Sequence, residues 1–248
     1  MRLTVLGGCG AWPAVDDACS GFLVEHDGFR LVLDLGYAVM PRLLRYVRAE
    51  DVDAVVITHG HPDHCADLNP LLRARSMTDG PPPAPLPLHA PPGSLDAVLA
   101  LDRPGMLDDA YELREFEPGA AFAAGPFQVT TKLLPHMRVN AGLRVAAGGR
   151  VLAYTGDTGP SSAIAALARG ADVFVAEASY PDKVPADMAE HLSTARQAGA
   201  DAERAGAARL LLTHLMPGTD RAAAIAAARV SYGGDVAVAE SGLVVEVG

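Results

Sequence analysis

The chain has 248 residues, of which 50% are hydrophobic, so it can bury a large core, and we expect a single domain over residues 1–248. Its 20 Lys and Arg residues against 30 Asp and Glu residues give a formal net charge of −10. This balance disfavours binding to long nucleic acids, which depends on neutralising phosphates, whereas a small anionic substrate stays compatible if metal ions supply positive charge.

The first part of the chain is predicted to be a meander of strands that leads into one crossover helix. Short apolar runs indicate strands at residues 3–6, 22–25 and 29–34, with a turn at His26 between the last two. Apolar residues at helical spacing predict a helix within residues 35–48. The next run, residues 54–58, is rich in β-branched side chains and predicts a buried strand.

The rest of the chain is predicted to repeat this plan. A helix to about Arg75 and a rigid proline-rich connector precede a short strand that contains His89, which we expect to be structural. A capping box at Thr194 predicts a helix that runs toward Arg204, and another helix is predicted near residues 221–229. Further strands are predicted at residues 127–134, 143–146, 150–154, 172–178, 210–214, 236–238 and 243–247. The two halves thus have similar patterns, each a meander followed by strand–helix units.

Four potential metal ligands directly follow the predicted strand at residues 54–58: His59, His61, Asp63 and His64. Because Pro62 biases the preceding residue away from the helical region, we expect these side chains on an irregular loop. Imidazole and carboxylate ligands this close together suit zinc or a similar borderline divalent ion. A solvated polar loop is the alternative, but these groups have little reason to converge without a cation.

Other histidines and aspartates lie at the ends of later predicted strands or in the loops that follow them: His136, Asp157, His191 and His214, with Asp67 behind the first group. This repeated placement indicates that one edge of the sheets carries the site. Seven good ligands are too many for one tetrahedral ion, whereas two ions that share a bridging carboxylate need about this number. The sequence therefore predicts a site for two divalent ions.

The segment Thr-His-Gly-His-Pro-Asp-His at residues 58–64 resembles the signature of the metallo-β-lactamase superfamily, and Asp157 and His214 resemble its remaining ligand motifs. The resemblance spans nearly the whole chain. It implies an α/β fold built as a four-layer αββα sandwich. It also implies two ligand sets with Asp157 as the bridge: His59, His61 and His136 for one ion, and Asp63, His64 and His214 for the other.

Two further segments, Ala-Glu-Ala-Ser at 176–179 and His-Leu-Ser-Thr-Ala at 191–195, resemble the branch that contains ribonuclease Z and related cyclic-nucleotide phosphodiesterases. In that branch an extra histidine assists departure of the leaving oxygen. The resemblance therefore implies His191 as a catalytic residue, oriented by Glu177. The alternatives are that His191 only satisfies a backbone carbonyl and that Glu177 only accepts hydrogen bonds from loop amides.

The chain departs from the tRNA-processing members of this branch, which carry a long tRNA-gripping arm between the third histidine ligand and the bridging aspartate. Here His136 and Asp157 are 21 positions apart, and the hairpin predicted around Gly148 and Gly149 fills that interval. A tRNA 3′-end endonuclease is therefore the less favoured function. The chain looks closest to the bacterial cyclic-AMP phosphodiesterases of the branch.

These observations predict a metal-dependent phosphodiesterase that hydrolyses a small phosphodiester, such as the 3′,5′-cyclic nucleotide cyclic AMP, by attack of a metal-bridging hydroxide. Its catalytic residues would be Asp63, His191 and Glu177. A carbon-ester hydrolase, such as a lactonase or thioesterase, could use the same metal site, although an extra acid is more useful for a poor alkoxide leaving group. A metal-binding module without catalysis is disfavoured by the complete ligand set.

The expected cofactors are two divalent metal ions, zinc before manganese or iron, all of which accept imidazole and carboxylate ligands. The three cysteines form no CxxC pair, and the N-terminal apolar stretch is too short for a signal peptide or a membrane span. We therefore expect a soluble cytoplasmic protein without a membrane partner, and homodimerisation stays open. Trp12, Tyr37, Tyr111 and Phe116 could form a wall for base stacking, but core packing is the expected fate of each.

Overall fold

Apolar side chains along the first strand alternate between two buried faces. Within β1 (Arg2–Gly7), Leu3 and Val5 join one hydrophobic cluster, whereas Leu6 joins another. Successive side chains of a strand point to opposite faces, so a strand that is apolar at nearly every position must have a layer packed on each side. The same pattern recurs in both sheets and fixes the layered architecture.

The computed structural model describes residues 1–78 and 80–248. After β1, the strands are β2 (Gly21–His26), β3 (Phe29–Leu35), β4 (Ala54–Val56), β5 (Leu86–Ala90), β6 (Tyr111–Glu115), β7 (Ala121–Ala124), β8 (Phe127–Leu134), β9 (Asn140–Ala147), β10 (Arg150–Tyr154), β11 (Val173–Glu177), β12 (Arg209–Thr213), β13 (Asp235–Val238) and β14 (Val244–Glu246). The helices are α1 (Met40–Leu43), α2 (Pro62–Cys65), α3 (Leu68–Ser76), α4 (Asp96–Leu99), α5 (Ser162–Leu167), α6 (Ala195–Ala205) and α7 (Arg221–Ala228). Short 3₁₀ turns lie at Ala49–Asp51, Asp108–Ala110 and Ala186–Met188.

The strands form two seven-stranded sheets with closely similar topology. The first has the order β14-β1-β2-β3-β4-β5-β6 and the second the order β13-β12-β11-β10-β9-β8-β7. In the first sheet β1, β2 and β3 are antiparallel neighbours, and β4, β5 and β6 continue in parallel. In the second, β7 to β10 are antiparallel and β11 to β13 are parallel. Each half is thus a meander followed by parallel crossover strands, as the sequence predicts.

Three hydrophobic clusters separate four layers. The central cluster joins the facing sides of the two sheets and contains Phe22, Phe127 and Tyr154. A second cluster packs α1, α3 and α4 on the outer side of the first sheet, and a third packs α5, α6 and α7 on the outer side of the second. The predicted αββα sandwich is confirmed. No helix in the described part of the chain combines the length and the apolar character that crossing a membrane requires.

The predicted helix at residues 35–48 is much shorter in the structure. Leu35 is the last residue of β3, and only Met40–Leu43 forms α1. Ala38 has a positive φ of 64°, which interrupts a right-handed helix. The Asp67 carboxylate then accepts a hydrogen bond from the Met40 N–H at 2.7 Å, which satisfies a donor at the start of α1. Asp67 therefore supports α1 and does not contribute to a metal site.

The expected irregular loop after β4 is replaced by a helical turn. His61 is extended, with φ −76° and ψ 143°, as its position before a proline predicts. Pro62 then occupies the first turn of α2, where a missing backbone donor costs nothing, so Asp63 and His64 lie on a helix. The sequence also gave no signal for α4, β6 and β7. Strands β6 and β7 are sheet edges: β6 is largely exposed and mostly polar, and three of the four residues of β7 are alanines, which have a low preference for strands.

Candidate metal centre

The residues predicted as metal ligands come from both sheets and meet at the carboxyl ends of their strands. Those that follow β4 belong to the first sheet, and two of them lie on α2. Those that follow β8, β10 and β12 belong to the second sheet. The structure brings together all seven: His59, His61, Asp63, His64, His136, Asp157 and His214. The site thus lies across the seam between the sheets.

The first set of potential ligands contains His59, His61, His136 and Asp157, whose ligand atoms all lie within 4.8 Å of one another. His61 Nδ1 lies 3.1 Å from both His59 Nε2 and His136 Nε2. Tetrahedral coordination at a metal–nitrogen distance of about 2.05 Å separates neighbouring ligand atoms by roughly 3.3 Å. The spacing of these nitrogens therefore suits ligands that surround one ion.

The second set contains Asp63, His64 and His214, together with Asp157 again. His214 Nε2 lies 3.2 Å from both Asp63 Oδ2 and Asp157 Oδ2. His64 Nε2 lies 3.1 Å from Asp157 Oδ1. Among the described residues, Asp157 is the one that belongs to both sets, which is the position of a bridging carboxylate.

Burial and mutual proximity set the protonation of these groups. Burial, with a further contribution from His64, lowers the pKa of His59 well below its usual value, so its imidazole is a neutral lone-pair donor. Burial acts against the ionised form of Asp157, but His214 and His64 nevertheless hold the pKa of this carboxyl well below its usual range. The neutral imidazole of His59 and the ionised carboxylate of Asp157 are the forms in which these two side chains bind metals. The carboxylates around His64 and His214, Asp157 first, raise the pKa of both imidazoles despite their burial, so an ion bound at the second set would displace protons.

Two orphaned atoms test whether a metal fits the site. His64 Nε2 and Asp157 Oδ1 are buried and have no hydrogen-bond partner among the described residues, although they lie 3.1 Å apart. Buried polar atoms without partners are rare, and each needs a physical explanation. Two donor atoms that both need an electrophile, inside a cluster of imidazoles and carboxylates, fit a divalent cation. The residues present therefore suit two divalent ions.

A buried carboxylate that the sequence did not indicate, Asp34, supports the second set from behind. Its Oδ2 accepts hydrogen bonds from His64 Nδ1 at 2.7 Å and from the hydroxyls of Thr58 and Tyr154 at 2.8 Å each. Its Oδ1 accepts from the Thr58 N–H at 2.8 Å. Because His64 Nδ1 carries the proton in this contact, Nε2 is the nitrogen that faces the cluster and that would bind an ion. The signal available in the sequence was a single acidic residue inside the apolar run of β3.

His191 lies beside the first ligand set and outside it. Its ring centroid is 6.5 Å from that of His136. Its backbone carbonyl accepts a hydrogen bond from His136 Nδ1 at 2.9 Å, which leaves His136 Nε2 to face the cluster. The side-chain Nδ1 of His191 is buried without a partner among residues 1–78 and 80–248. This contact is not the alternative weighed above, in which the His191 ring satisfies a backbone carbonyl, because here the carbonyl of His191 accepts from the His136 ring.

Glu177 does not orient His191. Its Oε1 accepts hydrogen bonds from the Ser179 hydroxyl at 2.6 Å and the Ser193 N–H at 3.0 Å, and its Oε2 accepts from the Thr158 N–H. Ser179 Oγ in turn lies 3.0 Å from His214 Nδ1. The carboxylate thus ties together the loops that carry Asp157, His191 and His214, and burial, followed by Asp157, raises its pKa to about 8. The alternative in which Glu177 accepts from loop amides matches this geometry.

The two remaining histidines lie away from the cluster. The His89 ring is buried and stacks on Phe122 at a centroid distance of 4.4 Å with an interplanar angle of 5°, as a structural role implies. His26 is the last residue of β2 and pairs with Phe29, so the turn consists of Asp27 and Gly28 and begins one residue after its predicted start at His26. Neither ring belongs to either set of potential ligands.

The αββα sandwich and its paired ligand sets at the strand ends define a metal-dependent hydrolase. Residues 20–215 match the family model described as Beta-lactamase superfamily domain. The chain belongs to this superfamily.

The relatives of the chain include proteins of the same size. It is 30% identical over 252 residues to the probable metallo-hydrolase YhfI of Bacillus subtilis, covering 99% of this chain and 100% of that protein. The crystal structure of YhfI superposes with a TM-score of 0.90, covering 99% of each chain. Ribonuclease Z of Haloferax volcanii is 28% identical over an alignment of 304 positions, which covers 100% of this chain and 95% of that enzyme. Human tRNase Z, short form, shares the fold, with a TM-score of 0.80 at 23% identity and full coverage of both chains.

Proposed function

We propose that this chain is a phosphodiesterase that hydrolyses a small phosphodiester, with a 3′,5′-cyclic nucleotide such as cyclic AMP as the favoured substrate. The observation that carries the proposal is the position of His191, whose ring stands next to the first ligand set without belonging to it. A proton donor beside the metals is most useful where the leaving group is a poor one, such as the alkoxide released from a phosphodiester.

The ring of His191 is available for this role, because its buried Nδ1 has no hydrogen-bond partner in the described part of the chain. The carbonyl of the same residue fixes His136, and the Ser193 N–H two residues later is fixed by Glu177. A protonated ring nitrogen would transfer its proton to the leaving oxygen as the phosphorus–oxygen bond breaks. Glu177 then acts as a positioning residue that keeps the segment in place.

Two bound divalent ions, of which zinc is the proposed identity and manganese or iron the alternatives, would supply a water of lowered pKa as nucleophile and positive charge for the phosphoryl oxygens. Asp63 and Asp157, the two carboxylates of the ligand sets, would offset part of the charge of the ions. His59, whose pKa is lowered by burial, stays neutral and keeps its lone pair available.

The size of the substrate is limited by the connection between β9 and β10. Ala147 pairs with Arg150, so only Gly148 and Gly149 form the turn, and both have positive φ (56° and 75°). The interval between His136 and Asp157 is therefore occupied by a tight hairpin and leaves no segment to grip a tRNA. The net charge of −10 likewise favours a small ligand over a long polyanion.

A turnover screen tests the proposal. Zinc-loaded protein would be offered cyclic AMP, bis(p-nitrophenyl) phosphate, a lactone and a thioester, with Asp63→Ala, His191→Ala and the remote variant His89→Phe assayed in parallel. We expect phosphodiester turnover in the wild type and in His89→Phe, and none in Asp63→Ala. We expect His191→Ala to retain its metal and to lose about 10²- to 10⁴-fold in kcat for cyclic AMP.

The leaving group provides the internal control. Nitrophenolate leaves without protonation, so the loss in His191→Ala should be much smaller for bis(p-nitrophenyl) phosphate than for cyclic AMP. Equal losses for both substrates would reduce His191 to a structural role. Turnover of the lactone or thioester without any phosphodiester turnover would establish the carbon-ester hydrolase in place of our proposal, and two bound metals with no hydrolysis at all would establish the non-catalytic module.

A further inference from the structure

Two large aromatic side chains are exposed on segments that lie against Asp63. Trp12 is 54% exposed and Tyr37 is 39% exposed, so both differ from the core packing that the sequence favoured. Phe116 is buried as expected. Single exposed apolar side chains are common, but these two aromatic residues each follow a residue that contacts the same candidate metal ligand, Asp63.

The backbone around Trp12 is anchored to the metal centre. The Ala11 N–H donates a hydrogen bond to Asp63 Oδ2 at 2.9 Å. To make this contact, Ala11 adopts a positive φ of 60°, a conformation that costs a residue with a side chain about 1–2 kcal/mol. The Trp12 N–H donates to the Gly10 carbonyl at 2.7 Å, and the Cys9 thiol donates to the Trp12 carbonyl at 3.4 Å. The main chain of Trp12 is thus fixed next to Ala11, whose N–H binds the candidate metal ligand Asp63, while the indole of Trp12 stays exposed.

Tyr37 approaches the same residue from a second segment. Gly36 packs so closely on Asp63 that a Cβ at this position would lie 1.8 Å from the Asp63 carbonyl oxygen. The carbonyl of Tyr37 accepts a hydrogen bond from the Cys19 N–H at 3.0 Å. The two aromatic residues therefore come from the β1–β2 connection and the β3–α1 connection, and both of these connections contact Asp63.

We infer that Trp12 and Tyr37, whose segments both contact Asp63, form the surface on which the nucleobase of the substrate stacks. Trp12 is then a specificity-determining residue for nucleoside phosphodiesters. The inference rests on the proposed phosphodiesterase function and adds to it a requirement for an aromatic base. Every nucleobase presents a π-face, so stacking recognises this class without a charged partner, which suits a chain with a net charge of −10. The metal centre would hold the phosphoryl group while the indole holds the base.

A pair of matched substrates separates the base from the phosphodiester. Cyclic AMP and methyl riboside 3′,5′-cyclic phosphate share the cyclic phosphodiester, but only the first carries a base. We expect Trp12→Ala to lose roughly 5- to 150-fold in kcat/KM for cyclic AMP, the range that corresponds to about 1–3 kcal/mol for stacking of one base, and to retain wild-type kcat/KM for the abasic substrate. Trp12→Phe should keep most of the activity toward cyclic AMP. Val15→Ala, on the same loop and fully exposed, is the control and should change neither value.

Intrinsic fluorescence gives a readout that needs no turnover, because Trp12 is the only tryptophan in the chain. We expect AMP to quench the emission of the zinc-loaded protein saturably, and ribose 5-phosphate to leave it unchanged at the same occupancy. Equal quenching by both compounds, or none by AMP, would overturn the inference, as would an equal loss of activity toward both cyclic substrates in Trp12→Ala. If the wild type hydrolysed neither phosphodiester but AMP still quenched selectively, the stacking site would stand and the proposed reaction would fall.

Discussion

The buried carboxylate of Asp34 offers the most direct test of how the fold prepares the metal centre. Its Oδ2 accepts from three side chains, those of Thr58, His64 and Tyr154, at 2.7–2.8 Å. In Asp34→Asn, an NH₂ group at this position would face three donors. If the amide turned over, the NH₂ would instead face the Thr58 N–H, which now donates to Oδ1 at 2.8 Å. Either orientation sets donor against donor.

The size of the expected effect follows from these contacts. In either orientation at least two buried donors are left without an acceptor at about 1–3 kcal/mol each, so we expect Asp34→Asn to lose about 2–6 kcal/mol of unfolding free energy. Loss of the carboxylate behind a ligating histidine lowers metal affinity about 10- to 100-fold. Tyr154→Phe is the matched control, because it removes one donor to the carboxylate and leaves His64 in place. We expect it to cost about 1–2 kcal/mol and to leave zinc affinity nearly unchanged.

Two measurements separate stability from metal binding. Urea unfolding of the metal-free proteins gives the free energies, and competition with a chromophoric chelator gives the zinc affinities. We expect Asp34→Asn to lose in both assays and Tyr154→Phe to lose only in the first. If Asp34→Asn were destabilised yet bound zinc as tightly as the wild type, the carboxylate would serve the fold alone, and the assignment of the His64 tautomer would be wrong.

Three further variants or treatments have defined outcomes. Burial, followed by Arg114, lowers the pKa of His89 to about 4, so the unfolded state binds a proton more readily than the folded state as the pH falls. The metal-free wild type should therefore lose roughly 2–3 kcal/mol of unfolding free energy between pH 7 and pH 4.5 that His89→Phe does not lose. Equal pH dependence of the two proteins in urea unfolding would contradict this. Ser179→Ala removes the hydroxyl between Glu177 and His214 and should weaken zinc binding about 10-fold in the chelator assay. Unchanged affinity would show that the His214 ring is oriented without the Ser179 hydroxyl. Removal of metal with EDTA should lower the thermal midpoint by roughly 5–15 °C, because ions present at 100 to 1,000 times their Kd contribute about 3–4 kcal/mol to stability. Zinc should restore the midpoint and magnesium should not. An unshifted midpoint would show that the folded protein gains no stability from bound ions.

Local signals carried most of the sequence-based prediction. The ligands from His59 to His64 are adjacent in the chain, so their density is visible without any knowledge of the fold. His136, Asp157 and His214 follow β8, β10 and β12, which run in the same direction and therefore end at the same edge of the sheet, and this is why the structure brings them to the same place. The layered architecture likewise follows from apolar periodicity, which is a property of short segments.

The supporting contacts could not be predicted in this way, because they depend on which strands become neighbours. Asp34 and Tyr154 are separated by 120 positions and belong to different sheets, so no pattern along the chain links them. The sequence predicted the His191 ring as the partner of Glu177, whereas in the structure its Oε1 accepts from the Ser179 hydroxyl and the Ser193 N–H. These contacts depend on how the loops pack, which the sequence pattern does not show. Exposure of Trp12 was missed because tryptophan is expected to pack in the core, and the sequence does not show that the loop before Trp12 is anchored to Asp63 through the Ala11 N–H.

The division of ligands between the two sheets has a consequence for biosynthesis. Neither half of the chain holds a complete ligand set, since each set combines residues that follow β4 with residues that follow β8, β10 or β12. A ribosome-bound chain that exposes the histidines near residue 60 therefore cannot close the first set until Asp157 has emerged, nor the second until His214 has emerged and β12 has docked. The two ions would then be captured in order along the chain, and occupation of the second set would mark the docking of β12.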